Sequence, residues 1–249
     1  MKKFGLIGFP LGHSFSKKYF TNKFVDLGLT DHRYDLFELE TIDGFPALWQ
    51  SNSDLVGLNV TVPYKQAVIP FLDRLDESAR KVGAVNTIMK EGQSLIGYNS
   101  DYFGFMVSLK NDFQDRPLGT KALVLGSGGA SKAVAAALTD LGIDYAIVSR
   151  LADKGDYTYD QLSNDASIVS SADIIVNTTP VGMYPNVDKA PAIPFDLIKL
   201  EHYVYDLVYN PEVTKLMSEA SKRGARTKNG MEMLHLQADR SWEIWNSFV

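Results

Sequence analysis

The sequence predicts an α/β protein of two domains, in which mostly parallel sheets are covered by helices. Short apolar segments alternate along the chain with segments of helical spacing, and one strand, glycine-rich turn, helix and strand follow one another near the middle. Alternation of this kind is typical of parallel sheets, since each crossover between parallel strands needs a connecting helix. At 249 residues the chain is long enough for two modest domains, each with a core of its own.

The composition is that of an ordinary globular protein and excludes several classes. The net charge of −5 gives no attraction to nucleic acid or an anionic membrane, and we expect neither as a partner. The absence of cysteine excludes disulfides and thiolate catalysis. The N-terminal segment fits a buried strand better than a signal peptide, because Gly and Pro break its apolar run. We therefore expect a cytoplasmic protein, and the four scattered histidines predict no metal site.

The first 112 residues predict alternating strands and helices followed by a hairpin. Helical spacing is clearest where Tyr19, Phe20, Phe24 and Leu27 recur before Gly28. In chain order we predict strand 4–9, helix Ser16–Leu27, strand Tyr34–Leu39, short helix Ile42–Trp49, strand Val56–Val62, a helix from Pro63 to about Leu72, helix Glu77–Val82, strands Ala84–Met89 and Ser94–Tyr98, and helix Tyr102–Asp112.

A βαβ unit follows a polar linker at Gln114–Gly119. It consists of strand Lys121–Leu125, a turn of Gly126, Ser127, Gly128, Gly129 and Ala130, helix Ser131–Leu141 and strand Tyr145–Val148. Gly126 permits a tight turn, and Gly128 removes a Cβ that would block a phosphate at the positive end of the helix. A tight turn before a helix occurs in any parallel α/β protein, and Ser131 stands where the third glycine of the usual motif belongs. We interpret the unit as a Rossmann-like dinucleotide site.

Polar residues at the ends of two further strands predict how the dinucleotide is held. Ser149 and Arg150 come about 20 residues after the glycines, where NAD-binding proteins place an acidic residue for the ribose 2′-hydroxyl. A basic residue there favours a 2′-phosphate and therefore NADP, unless Arg150 simply lies in an exposed loop. Asn177, Thr178 and Thr179 end another apolar strand and offer small polar groups to line the cofactor.

Two α/β domains account for the remaining pattern. Strands at Ile174–Asn177 and Tyr203–Leu207 precede helix Val213–Arg223 and a final helix from about Met231 to Ser247. We predict a substrate-binding domain of residues 1–101, completed by residues 230–249, and a nucleotide-binding domain of residues 102–229. The final helix is long enough to return to the first domain.

Two pairs of polar residues in the first domain suggest a ligand site. Ser14 and Ser16 lie between the first strand and the first helix, where serines are common N-caps but also suit a carboxylate. Asn59 and Thr61 share one face of a strand near its carboxyl end, where ligands of α/β sheets gather.

Three further residues suggest acid–base chemistry and ligand binding. Lys65 falls in the first turn of a predicted helix, where the dipole disfavours a cation, so the residue is either a solvated lysine or a group that exchanges its proton. Asn86 lies inside an apolar strand, where an amide needs partners. Asp101 begins a helix, as an N-cap or as a carboxylate that orients Lys65.

Together these segments resemble the shikimate dehydrogenase family. The resemblance is ordered and covers nearly the whole chain: HSFS at 13–16, NVTVPYK at 59–65, GAVNT at 83–87, GYNSDYFG at 97–104, VLGSGGASKA at 124–133, NTTPVGM at 177–183, DLVYNPEVT at 206–214 and NGMEMLHLQA at 229–238. It implies reversible NADPH-dependent reduction of 3-dehydroshikimate to shikimate, on the route to chorismate and the aromatic amino acids. We expect this small-molecule substrate as the partner, and a monomer or homodimer.

The resemblance also implies roles for individual residues. It assigns the acid/base step to Lys65 paired with Asp101. For the substrate, the resemblance assigns the carboxylate to Ser14 and Ser16, and the ring hydroxyls to Thr61, Asn86, Asp101 and Gln237. For the cofactor, it assigns the pyrophosphate to Gly126–Ala130, the 2′-phosphate to Ser149 and Arg150, and the ribose and nicotinamide to Thr178, Gly230 and Met231.

The chain departs from the family pattern at three places. Lys17 stands where the family commonly has Pro, Ser100 stands where it has Thr, and the segment after Arg150 is short and polar. A shortened wall on the adenine side leaves the preference between NADP and NAD open. Two alternatives therefore remain: a broader enzyme that also takes quinate or uses NAD, and a non-catalytic dinucleotide sensor of the same fold.

Overall fold

The computed structural model describes residues 1–12, 14–113 and 119–247. The chain divides into two compact units, which we call the first unit (residues 1–103 and 237–249) and the second unit (residues 104–236). The predicted linker falls mainly on residues 114–118, which lie outside the described residues. The fold is α/β with two mostly parallel sheets, as the sequence predicts.

The first unit is built on a six-stranded mixed sheet. Its elements are β1 (Lys2–Gly8), α1 (Phe15–Asp26), β2 (His32–Glu38), α2 (Phe45–Ser51), β3 (Leu55–Val60), α3 (Tyr64–Ala67), β4 (Arg74–Leu75), α4 (Glu77–Val82), β5 (Thr87–Glu91), β6 (Ser94–Tyr98) and the start of α5 (Ser100–Asp112). The strand order is β2-β1-β3-β5-β6-β4, with β1 parallel to both neighbours and β5 antiparallel to β3 and β6.

The second unit is built on a six-stranded parallel sheet. Its elements after α5 are β7 (Lys121–Leu125), α6 (Gly129–Asp140), β8 (Asp144–Ser149), β9 (Tyr157–Thr158), α7 (Tyr159–Asn164), α8 (Ala166–Ser170), β10 (Ile174–Asn177), β11 (Tyr203–Asp206), α9 (Lys215–Ser221), β12 (Arg226–Asn229) and the start of α10 (Met231–Asn246). The strand order is β12-β11-β10-β7-β8-β9. Every residue of β10 and β11 is buried, because helices cover both faces of such a sheet.

The last helix returns to the core of the first unit, as the sequence predicts. Ala238, Ile244 and Trp245 of α10 pack into the same apolar cluster as Phe4 and other side chains of the sheet. The Trp245 indole lies against Gly57 of β3, where an added Cβ would overlap the ring. Its Nε1 donates a hydrogen bond to Ile88 O at 2.9 Å. The helix is therefore held by packing and by a hydrogen bond to β5.

Several predicted boundaries are wrong by a few residues, and one predicted helix is broken. The helix expected from Pro63 to about Leu72 divides into α3 and a 3₁₀ turn at Ile69–Phe71. Pro70 explains the break, because it lacks an N–H and disfavours α geometry in the residue before it. The helix expected at Val213–Arg223 begins only at Lys215, because the Thr214 side chain caps it by accepting from Met217 N.

The described ranges contain neither a membrane-crossing helix nor a metal-binding cluster. Within residues 1–12, 14–113 and 119–247, no helix combines the length and the apolar character needed to cross a membrane. The same residues contain no group of three or more His, Asp or Glu side chains placed to hold a metal ion.

Candidate active site

The glycine-rich turn between β7 and α6 forms one wall of a cavity in the second unit. Gly126 has a φ of +108°, which L side chains rarely adopt, and an added Cβ would lie 2.8 Å from Thr178 Oγ1 and from Thr179 Cγ2. Gly128 is the N-cap of α6 and makes no side-chain hydrogen bond. An added Cβ at Gly128 would meet nothing within 4 Å. The N-terminus of α6 therefore faces open space with backbone N–H groups that no cap satisfies.

The serine that replaces the third glycine supports this turn. Ser131 is buried, and its Oγ donates a hydrogen bond to Gly128 O at 2.6 Å. The hydroxyls of Ser127 and Ser149 lie 2.9 Å apart and form a second hydrogen bond, which joins the turn to the end of β8. The turn is thus fixed from both sides by side chains.

The cavity has a volume of about 660 Å³ and brings together most of the predicted cofactor residues. Seven residues that the sequence predicts for the cofactor site line this cavity: Gly126, Ser127, Gly128, Ser149, Arg150, Thr178 and Thr179. Gly129 and Ala130 lie in the first turn of α6. Residues from the ends of β7, β8 and β10 meet here because the carboxyl ends of parallel strands share one edge of the sheet.

The short segment after Arg150 contributes three further lining residues that sequence reasoning missed: Leu151, Lys154 and Tyr159. Lys154 ends a 3₁₀ turn at Ala152–Lys154 and lines the same cavity as Arg150. Tyr159 also lines it; burial raises the pKa of this tyrosine, and the positive charge of Arg150 opposes the rise. A lysine four residues after the arginine was the available signal in the sequence. Two cations that line one cavity suit a phosphate group.

In the first unit, Lys65 and Asp101 form an ion pair. Lys65 Nζ donates to Asp101 Oδ2 at 2.6 Å, and both side chains are partly exposed, at 25% and 17%. The role of N-cap for α5 belongs to Asn99, whose Oδ1 accepts from Tyr102 N at 3.0 Å. The alternative of Asp101 as the cap is therefore wrong, and its carboxylate is free to hold Lys65.

Asn86 and Gln237 both lie near Ser100 at the start of α5. Asn86 is buried; its Oδ1 accepts from Ser100 N at 2.7 Å and its Nδ2 donates to Ser100 Oγ at 3.0 Å. Gln237 Oε1 accepts from Ser100 Oγ at 3.4 Å. The Ser241 hydroxyl, on the next turn of α10, is hydrogen-bonded to Thr87 Oγ1 at 2.8 Å. A buried polar cluster therefore positions the predicted residues Asn86 and Gln237.

Three hydroxyl groups that are predicted to bind the substrate differ in the hydrogen bonds they already make: those of Ser14, Ser16 and Thr61. Ser14 is the N-cap of α1 and accepts from Lys17 N at 3.2 Å, so its own O–H remains available as a donor. Ser16 lies near the buried hydroxyl of Tyr34, which donates to Asn59 Oδ1 at 2.8 Å. Thr61 follows β3, and its hydroxyl has no hydrogen-bond partner among the residues that the structure describes.

Gly230 and Met231 connect β12 to α10. An added Cβ at Gly230 would overlap the backbone of Leu207, so packing alone requires glycine at this position. Met231 N donates to Asn229 Oδ1 at 3.1 Å, and the Met231 side chain is partly exposed. Neither residue lines the cavity described above.

The parallel sheet with its glycine turn, the basic cavity wall and the Lys65–Asp101 pair define the class of nucleotide-dependent α/β oxidoreductases. A model of the shikimate dehydrogenase substrate binding domain matches residues 6–88. The shikimate dehydrogenase (NADP(+)) of Desulforamulus reducens is 37% identical to this chain in sequence. The alignment covers 98% of this chain and 90% of the Desulforamulus protein. The chain belongs to the shikimate dehydrogenase family.

Solved structures of the family agree with this fold. The shikimate 5-dehydrogenase of Thermus thermophilus, in complex with NADP(H) and shikimate, superposes with a TM-score of 0.86 at 29% identity, covering 100% of this chain and 95% of that one. The enzyme of Listeria monocytogenes, in complex with shikimate and NAD, gives a TM-score of 0.87 at 29% identity, covering 99% of this chain and 92% of that one.

Proposed function

We propose that the protein catalyses the reversible NADPH-dependent reduction of 3-dehydroshikimate to shikimate, with Lys65 as the acid/base group. The observation that carries the proposal is the Lys65–Asp101 ion pair of 2.6 Å in a chain of this family. A dehydrogenase needs a group that exchanges a proton with the substrate oxygen, whereas a dinucleotide sensor does not. We assign substrate binding to the first unit and nucleotide binding to the second.

The second unit fits a 2′-phosphorylated dinucleotide. The uncapped N-terminus of α6 offers N–H groups and a positive dipole end to a pyrophosphate, and the open space at Gly128 leaves room for it. Arg150 and Lys154 line the same cavity and offer two positive charges to a 2′-phosphate. These contacts support NADP as the cofactor, with Thr178, Gly230 and Met231 assigned to its ribose and nicotinamide.

NADPH, when bound, supplies the hydride for the reduction. Lys65 Nζ donates a proton to the carbonyl oxygen of the substrate as that oxygen becomes a hydroxyl, and it takes a proton back in the reverse direction. Asp101 holds the Lys65 ammonium in place and accepts one hydrogen bond from it. Because the side chains are partly buried, their charges interact more strongly than they would in bulk water.

The predicted substrate contacts use the hydrogen-bonding capacity that remains in the first unit. Ser14 and Ser16 donate to the substrate carboxylate, next to the positive end of α1. Asn86 has a second N–H on its amide, and the Thr61 hydroxyl has no hydrogen-bond partner among the described residues. With Asp101 and Gln237, these groups suit the hydroxyls of a polar ring.

Absorbance at 340 nm tests the proposed reaction. Purified protein is given shikimate or quinate with NADP⁺ or NAD⁺ in parallel. We expect rapid reduction of NADP⁺ with shikimate and slow rates with the other pairs. Comparable rates with quinate or NAD⁺ would favour the broader enzyme, for which the Listeria complex with NAD gives a precedent. Folded protein without turnover with any pair would favour the dinucleotide sensor.

Replacing Arg150 tests the assigned cofactor preference. We expect Arg150→Ala to raise the KM for NADPH by at least about tenfold, the typical cost of losing a charge-assisted hydrogen bond, with little change in the KM for NADH. Lys222→Ala, which replaces a cation that follows α9 and pairs with Glu219, is the matched control and should change neither constant. Equal effects of Arg150→Ala on both cofactors would remove the arginine from 2′-phosphate binding.

A further inference from the structure

Asp206 is a fully buried carboxylate at the end of β11 that neither the fold nor the proposed chemistry explains. Its Oδ1 accepts from Asn177 Nδ2 at 2.8 Å and from Val208 N at 3.0 Å. Its Oδ2 accepts from Thr214 Oγ1 at 2.6 Å. Burial raises the pKa of this carboxyl, and the three hydrogen bonds oppose the rise. Burying such a group is costly, and the three hydrogen bonds offset part of that cost.

The hydrogen bond to Asn177 connects Asp206 to the wall of the cavity. Asn177 is fully buried, and its Oδ1 accepts from Thr179 N at 3.0 Å and from Thr179 Oγ1 at 2.7 Å. Thr178 in turn donates from Oγ1 to Leu125 O at 2.8 Å. Thr178 and Thr179 both line the cavity and both pack against Gly126 of the glycine turn.

A carboxylate next to Asn177 fixes which way the amide points. An ionised carboxylate only accepts hydrogen bonds, so it selects the Nδ2 edge of Asn177 and turns the Oδ1 edge towards Thr179. Asn177 Nδ2 also donates to Val181 O, but only at 3.5 Å, so without the carboxylate this long bond and the two bonds from Thr179 would alone hold the amide in place. We propose that Asp206 is a positioning residue that orients Asn177 and thereby holds the Thr178–Thr179 wall for NADP; its effect on binding rests on the proposed function.

Three variants and one control test this role. Asp206→Ala removes both acceptor oxygens, and Asn177→Ala removes the link while leaving Thr214 and Val208 to satisfy Asp206. Asp206→Asn retains an oxygen for Asn177 and Val208, and its NH₂ can donate to Thr214 Oγ1. Asp173→Asn is the control, because Asp173 precedes β10, at the other end of that strand from Asn177, and its Oδ2 accepts from Lys121 N at 2.8 Å.

Hydrogen exchange in the ligand-free protein tests the positioning itself. We expect the amides of Thr179 and Val181 to exchange about tenfold faster in Asp206→Ala and Asn177→Ala, as a lost buried acceptor predicts. Calorimetric titration with NADP⁺ should show a dissociation constant raised about tenfold in the same two variants and within about threefold of wild type in Asp206→Asn. The dissociation constant for shikimate should not change in any of these variants. In Asp173→Asn, the exchange rates of the two amides and the dissociation constant for NADP⁺ should equal those of wild type.

The proposal would be overturned if folded Asp206→Ala or Asn177→Ala stayed within twofold of wild type in two measurements. These are the exchange rates of the Thr179 and Val181 amides and the dissociation constant for NADP⁺. An Asp206→Asn protein that binds NADP⁺ as weakly as Asp206→Ala would also overturn it. If Asp206→Ala does not fold, Asp206→Leu, which also removes both acceptor oxygens and keeps a side chain of similar shape, decides by the same limits. If wild-type protein does not oxidise shikimate, the proposed function fails, while exchange in the ligand-free protein still decides the role of Asp206.

Discussion

At the scale of single residues, the Lys65–Asp101 pair is the feature on which the proposed chemistry depends. Lys65 lies in a four-residue helix after Pro63, and its backbone oxygen accepts from Val85 N at 2.7 Å. The lysine therefore has a fixed backbone, and the carboxylate of Asp101 directs its side chain. Pre-organisation of this kind is what general acid–base catalysis requires.

Removing the amine should slow the chemical step while leaving binding nearly intact. We expect Lys65→Ala to lower kcat by about 10²–10⁴, the usual loss for an acid/base group, with KM for shikimate changed little. Gln66→Ala, in the same helix, is the matched control, because its amide bonds only to Gly83 O among the described residues. Steady-state rates at saturating NADP⁺ measure both constants. Full turnover by Lys65→Ala would exclude the lysine from the mechanism.

The buried carboxylate of Asp206 should make stability depend on pH in a defined direction. Its pKa is raised in the folded protein by burial. The folded state therefore binds more protons than the unfolded state, so the contribution of Asp206 to stability is fully present below its ordinary pKa of about 3.9 and is lost as the pH rises through the raised value.

Asp206→Asn lacks this titration and isolates the effect. We expect the free energy of unfolding of wild type minus that of the variant to be smaller at about pH 7 than at about pH 4, which is close to the ordinary pKa of aspartate. Urea denaturation at the two pH values, followed by circular dichroism, measures the difference. A difference that stays constant or grows with pH would show that Asp206 is not a carboxyl of raised pKa.

At the scale of elements, α10 is placed by its fit against the first sheet. Trp245 occupies the space that Gly57 leaves on β3, between partner strands β1 and β5. Ser241 and Gln237 lie on the same helix and reach the buried polar cluster at the start of α5. The apolar anchor therefore also sets the position of a predicted substrate residue.

A methyl group at position 57 should weaken the packing of Trp245, and with it the attachment of α10 to the first sheet. We expect Gly57→Ala to lower the free energy of unfolding by about 1–3 kcal/mol, because the added Cβ overlaps the indole and the core is already filled. Gly12→Ala is the control, since its Cβ would meet nothing within 4 Å. Urea denaturation followed by tryptophan fluorescence reports the change. A Gly57→Ala protein as stable as wild type would show that the helix can shift without cost.

At the scale of the whole molecule, the two units differ in the probes they contain. All three tryptophans of the chain, at positions 49, 242 and 245, belong to the first unit. Tryptophan fluorescence therefore reports the unfolding of the unit to which we assign the substrate, whereas circular dichroism reports both units. This asymmetry allows the substrate assignment to be tested without any turnover.

Shikimate should stabilise the unit that binds it. At a hundred times its dissociation constant, a ligand of the native state adds about 2.7 kcal/mol to the free energy of unfolding. We expect this gain in the tryptophan-detected transition of wild type, and a smaller gain for the Ser14→Ala/Ser16→Ala double variant at the same concentration. A gain that the double variant fully retains would place the carboxylate of shikimate elsewhere.

Local pattern alone predicted the fold class, the glycine turn and several of the residues that line the cavity. The strand–turn–helix order and the positions of Gly126, Arg150 and Thr178 are sequence features, and parallel strands necessarily bring their carboxyl ends to one edge. The family resemblance added roles for residues whose spacing is not diagnostic. Lys154 was missed because a single lysine in a short polar segment resembles any solvated side chain.

The sequence by itself determined that this is a two-unit α/β protein of the shikimate dehydrogenase family with a dinucleotide turn. Tertiary structure decided that Lys65 meets Asp101 and that Asp206 bonds to Asn177. The ion pair and the Asp206 bond join residues from different elements, 36 positions apart for Lys65 and Asp101 and 29 for Asn177 and Asp206. Helix and strand periodicity encodes only near neighbours, so such pairs form only once the sheets have assembled.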